Sequence, residues 1–153
     1  MMKIQFKFSV LLLLFLFAFQ SLSYAATITW TGDVSSEWFN AGNWSGAIPM
    51  PGDDIIIPSG RPNDLVITSF IQITSVVVES GATLTINSGT LSINNASGDG
   101  LDNAGTINNA ATINIQNTTD NGIFNQSGAS FTNDGVIFIA GSLSSVGSNG
   151  ILN

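Results

Sequence analysis

Gly100-Leu101-Asp102-Asn103-Ala104-Gly105-Thr106-Ile107-Asn108-Asn109 is answered by Gly122-Ile123-Phe124-Asn125-Gln126-Ser127-Gly128-Ala129-Ser130-Phe131-Thr132-Asn133, and then by Gly150-Ile151-Leu152-Asn153. Each stretch opens with glycine, an apolar residue, any residue and asparagine, and the openings fall at positions 100, 122 and 150. Self-similarity at such a spacing marks stacked repeats. Further strand-like stretches follow the openings, Thr112-Ile113-Asn114-Ile115 and Val136-Ile137-Phe138-Ile139. Upstream, Ser80-Gly81-Ala82-Thr83-Leu84-Thr85-Ile86 is echoed by Ser88-Gly89-Thr90-Leu91-Ser92-Ile93. Short strands therefore recur at close intervals, with Gly, Asn, Ser or Asp between them.

Two architectures fit short strands spaced in this way. An antiparallel sandwich has turn signals about every 8–12 residues, and Asn121-Gly122 and Asn149-Gly150 are hairpin signals. A sandwich, however, has no need for turns that repeat together with their flanks. A solenoid does, because its coils stack at about 4.8 Å and equivalent positions meet like residues. The reading is an all-β parallel β-helix (β-solenoid) of either hand. Asn103, Asn125 and Asn153 are expected to form an inward amide ladder, with Ile and Val lining the interior. The last unit opens at Gly150 and stops at Asn153. An incomplete final repeat is expected there, with an unpaired edge that frays or self-associates.

Composition supports strands. From residue 26 onward the chain has 17 Ile and 7 Val but only 6 Leu. β-branched residues suit a pleated surface and lose side-chain freedom in a helix. Ser, Thr, Asn and Gly make up nearly half of 26–153, yet the apolar residues are spaced regularly through them, so the polar bias does not signal disorder.

Residues 1–25 are of another kind. Lys3 and Lys7 precede an unbroken apolar run, FSVLLLLFLFAF at 8–19, and Ser23 and Ala25 supply small residues. This is a secretory signal peptide over 1–25, with cleavage after Ala25. The run falls short of the roughly 20 residues of a transmembrane helix. Secretion or display at the cell surface follows. The remaining chain carries one cation, Arg61, against ten acids, a net charge of −9. Nucleic acid and anionic membranes reward Lys and Arg, so neither is expected as a partner. The sequence has no His and no Cys. The commonest general base, the commonest metal ligand and any thiol chemistry are thus missing.

Residues 26–70 read as a cap with the first strands, and 71–153 as the repeats. Segment 26–64 holds Trp30, Trp38, Trp44, all four prolines and Arg61. Its Trp30-Thr31-Gly32-Asp33, Trp38-Phe39-Asn40-Ala41-Gly42-Asn43-Trp44 and Pro49-Met50-Pro51-Gly52-Asp53-Asp54-Ile55-Ile56-Ile57-Pro58 resemble the start of secreted β-helix proteins of Bacteroidetes-type bacteria. The resemblance covers roughly 26–140. It implies an extracellular or surface-anchored, adhesin-like parallel β-helix, and it carries no catalytic residues.

The candidate sites have plain structural counterparts. Trp30, Trp38 and Trp44 would stack on sugar rings if exposed, and would cover the end of the first coil if buried. Asp53 and Asp54 alternate across a strand, so they do not share a Ca²⁺ ion; Gly52-Asp53-Asp54 fits a turn into the strand Ile55–Ile57. Thr83-x-Thr85 and Thr27-x-Thr29 are isolated pairs and make no rank. Arg61 alone cannot serve a polysaccharide lyase as both base and carboxylate clamp. A glycoside hydrolase needs two carboxylates, and the acids here are scattered in turns. The expectation is therefore a non-catalytic structural or adhesin-like module with no cofactor and no metal. Its expected partners are surface glycans or other cell-surface proteins. A carbohydrate-binding module and, further off, a glycan-degrading enzyme are the alternatives.

Overall fold

Inward and outward residues alternate along the stretches, in the repeats most often apolar against Thr, Ser or Asn, and this alternation sets the strands. In the computed structural model the described residues are 25–141 and the strand 151–152. The expected signal peptide, apart from Ala25, lies outside them, as do the Asn149-Gly150 turn signal and Asn153. After β1 (Thr27–Thr29) comes a 3₁₀ turn, Ala41–Asn43. Complete coils of three strands follow. The first is β2 (Asp54–Ile57), β3 (Leu65–Ile67) and β4 (Phe70–Ile73). The second is β5 (Ser75–Val78), β6 (Thr83–Ile86) and β7 (Thr90–Asn94). Next are β8 (Leu101–Asn103), β9 (Thr106–Asn109) and β10 (Thr112–Gln116). The fourth coil is β11 (Ile123–Asn125), β12 (Ser130–Asn133) and β13 (Val136–Ala140), and β14 (Ile151–Leu152) joins the next level.

Equivalent strands stack in parallel. The first sheet runs β1-β2-β5-β8-β11-β14, the second β3-β6-β9-β12 and the third β4-β7-β10-β13. Every pairing between these strands is parallel. The molecule is thus a β-solenoid of parallel strands rather than a sandwich. Leu101 sits beside Ile123, and Ile123 beside Ile151, which is the spacing of the glycine-led repeats.

The core is a set of columns along the axis. Ile55, Val76, Leu101 and Ile123 stack in the first sheet, each no more than 1% exposed. Ile71, Leu91 and Ile113 stack in the third, beside Ile73, Ile93 and Ile115. Burying each such side chain stabilises by about 1.5–3 kcal/mol. A corner recurs beside the core from the second coil to the fourth. Asn95 and Asn117 hold φ of 63° and 55°, and Gly141, one level on, holds 62°. Their preceding residues, Asn94, Gln116 and Ala140, are register partners, so one left-handed corner repeats along the stack.

Candidate functional site

The segment between β1 and the first complete coil is built around Asn43, which is fully buried. Its Oδ1 accepts from the backbone N–H of Val34 and of Ser35, both at 2.9 Å. Its Nδ2 donates to the Ser35 hydroxyl at 3.0 Å and to the Glu37 carbonyl at 2.9 Å. All four hydrogen-bonding positions of the amide are filled, so the loop 34–37 is fastened to the 3₁₀ turn. The sequence pattern marked Asn43 only as a spacing signal; its role as a hub needed the fold.

The tryptophans gather on this hub. Trp30, Trp38 and Trp44 are 0%, 4% and 5% exposed. Trp44 meets Trp30 edge to face at 4.9 Å between ring centroids, and Trp38 at 4.7 Å. The Trp44 indole donates to the Trp38 carbonyl and the Trp30 indole to the Asn63 carbonyl, both at 2.8 Å. Rings packed against one another at steep angles leave no free face for a pyranose. Of the two readings of these residues the buried one holds, and the glycan contact at Trp30, Trp38 and Trp44 is corrected: the three indoles form core, each packed against another and closed to solvent. Gly32 is required beside them. It holds a φ of +61°, and a Cβ there would run into the Asn63 carbonyl that accepts from Trp30.

Outside this core lie exposed rings that the sequence reading did not single out. Phe39 and Phe70 are each 63% exposed, and Met50 is 62% exposed. Phe39 and Phe70 line a cleft of about 180 Å³ with Pro49, Pro51 and Gln72. A second cleft of about 240 Å³ shares Trp38, Phe39 and Ile71 and adds Glu37, Thr68 and Ser69. No unusual local pattern announces either ring; only the fold places them together. A larger hollow of about 570 Å³ is lined by Ile123, Asn125, Phe131, Asn133 and Ile137, the inward-facing side chains of the fourth coil. Its lining continues the columns of the third coil, with Phe131 beside Ile107 and Ile137 beside Ile113, and Asn133 on it is exposed.

Four of the ten acids are engaged as parts of the frame. Asp53 accepts from the N–H of Met50 at 2.8 Å and of Ala26 at 3.0 Å, which closes the turn at Gly52. Asp54 accepts from the Ser75 hydroxyl of the next coil at 2.6 Å. Asp99 accepts from the backbone and side-chain N–H groups of Asn121 at 2.8 and 2.7 Å, and Asp102 from Gln126 at 2.6 Å. Among the described residues no three or more His, Cys, Asp or Glu side chains gather into a possible metal site.

The amide ladder is present at Asn103 and Asn125. They are register partners, and Asn103 Nδ2 donates to Asn125 Oδ1 at 2.8 Å. Asn103 is fully buried and Asn125 half-buried. Asn103 also donates to the Ser130 carbonyl and accepts from the Gly105 N–H. A second rung pair, unforeseen, joins Asn109 Nδ2 to Asn133 Oδ1 at 2.6 Å. Both pairs stand on apolar residues in the coils before them, Val78 under Asn103 and Ile86 under Asn109.

Residues 29–134 match the model of a family described as a domain of unknown function, DUF8693. The chain belongs to that family. The matched span runs from the end of β1 through the fourth coil's β12, so the tryptophan-bearing segment and the first three coils fall within one matched unit. No curated protein and no solved structure matches the chain.

Proposed function

We propose that this protein is a secreted, adhesin-like β-solenoid module that presents a surface and performs no catalysis. One observation carries the reading: Asp53, Asp54, Asp99 and Asp102 each accept hydrogen bonds from a turn or from the neighbouring coil. A general acid or nucleophile must offer its oxygens to a substrate, and in each of these four at least one oxygen is bound to the frame. The outer-face carboxylates Asp54 and Asp102 lie on β2 and β8, with β5 between them and in different columns. The start of the chain, with its apolar segment at 8–19, and the likeness of Trp30–Pro58 to Bacteroidetes-type β-helix proteins support export and an adhesin-like character. Surface glycans or cell-surface proteins are then the natural partners.

Expression of the full chain with a C-terminal tag in a Gram-negative host tests both halves. Export predicts that the tagged protein leaves the cytoplasm with Ala26 as its first residue. Absence of catalysis predicts no reducing or unsaturated sugar from pectin, alginate or xylan. Turnover abolished by a single Asp→Asn substitution refutes the non-catalytic reading, and a cytoplasmic product that retains Met1 refutes export.

A further inference from the structure

The third sheet, like the second, carries no charge on its strands, but it alone of the two sets strongly exposed phenylalanines on its outer face. Its strands read FIQI, TLSIN, TINIQ and VIFIA, without a charged residue in a chain whose acids outnumber its cations. Register aligns the outward side chains into columns. Phe70, Thr90, Thr112 and Val136 form one, and Gln72, Ser92, Asn114 and Phe138 the next. The phenyl rings at the two ends, Phe70 and Phe138, are 63% and 55% exposed. On the two coils between them stand the hydroxyls and amides of Thr90, Ser92, Asn94, Thr112, Asn114 and Gln116, all half-buried. Three strand steps of about 4.8 Å separate the end coils, so the two rings stand about 14 Å apart along the axis. At the Phe70 end the face runs into the cleft formed with Phe39, Pro49 and Pro51.

Exposed aromatic rings set among hydroxyl and amide groups match a particular chemistry. An aromatic face takes the apolar C–H face of a sugar ring, and the polar groups between take its hydroxyls. The lack of charge on these strands, in a strongly acidic molecule, selects against uronates and sulfated chains. We infer that the outer face of the third sheet, from the Phe39–Phe70 cleft to Phe138, binds an uncharged polysaccharide chain laid along the solenoid axis. The inference rests on the adhesin-like reading and names its ligand class and its surface.

Retention of the full-length protein on insoluble cellulose and mannan, and its mobility in gels containing xyloglucan, tests this face. Alginate and pectin serve as charged comparisons. Retention on at least one neutral polymer, little changed by added salt, is expected. Phe70→Ala and Phe138→Ala should each weaken it at least tenfold with an unchanged circular dichroism spectrum. Val34→Ala, an exposed apolar residue outside the third sheet, should leave it intact. No retention on any neutral polymer overturns the inference, as does binding that survives the double phenylalanine variant. Preference for alginate or pectin, or a dimer in sedimentation that the same substitutions dissolve, overturns it too. Sugar release in the turnover assay would instead refute the non-catalytic reading, whether or not this face binds.

Discussion

Asn103 shows how a buried polar residue is tolerated at the centre of a coil. Its side chain satisfies three partners: the Asn125 amide, the Ser130 carbonyl and the Gly105 N–H. The last contact is an asparagine bonding the backbone two residues on, a local turn device. Asn109 repeats it with the Ala111 N–H at 3.2 Å. Leucine in place of Asn103 fits the column of Ile57 and Val78 but strands these partners. An unsatisfied buried group costs about 1–3 kcal/mol. Asn103→Leu should therefore lower stability by about 3 kcal/mol, seen as a lower urea midpoint at unchanged slope. Asn125→Leu, at a half-buried position, should cost less. Equal stability of the two variants and the parent would mean that the ladder contributes nothing.

The recurring corner belongs to the scale of the element. Asn95, Asn117 and Gly141 turn the chain out of the third sheet with positive φ. Only Gly, and less often Asn or Asp, visits this region without a penalty of about 1–2 kcal/mol. At Asn117 the side chain also donates to Asn94 Oδ1 at 3.0 Å. Asn117→Gly keeps the conformation and loses one partly buried hydrogen bond. Asn117→Val loses both. Thermal unfolding should thus place Asn117→Gly within about 1 kcal/mol of the parent and Asn117→Val about 2–3 kcal/mol below it. The reverse order would remove backbone strain as the reason for Asn at this corner. The sequence made the strands on either side legible through their alternation, but it did not mark this corner, since Asn is frequent everywhere in the repeats.

At the scale of the whole molecule each coil contacts mainly its neighbours, so the stack should tolerate the loss of one level. Residues 101–122 make one coil, and Gly100 then leads into Ile123 as Gly122 does in the parent. The deletion brings β11 onto β5, with Ile123 facing Val76 in the place of Leu101. The shortened protein should fold with an undiminished strand signature in circular dichroism. Its urea slope should fall by roughly a sixth, following the surface removed. A chain that unfolds altogether would show that the coils are not interchangeable layers.

From the residues alone came the class of fold and the identity of one rung. Alternation with period two separates inside from outside along any strand, and the glycine-led recurrence at Leu101 and Ile123 sets one register. Tertiary structure decided the rest. The coils differ in length: Val76 lies beside Leu101 and Leu101 beside Ile123, while on the second sheet Ile107 lies beside Phe131. The level of a given Asn, Thr or Phe therefore depends on how each corner turns, which local sequence does not state. That is why Asn109 and Asn133 were not foreseen as a pair, and why Phe70 and Phe138 emerge on one face only after the coils are stacked. The same reason covers the tryptophans. Their spacing signalled a cap, but whether an indole face meets water or another indole is settled by how Trp30 packs on Trp44, a contact between segments rather than within one.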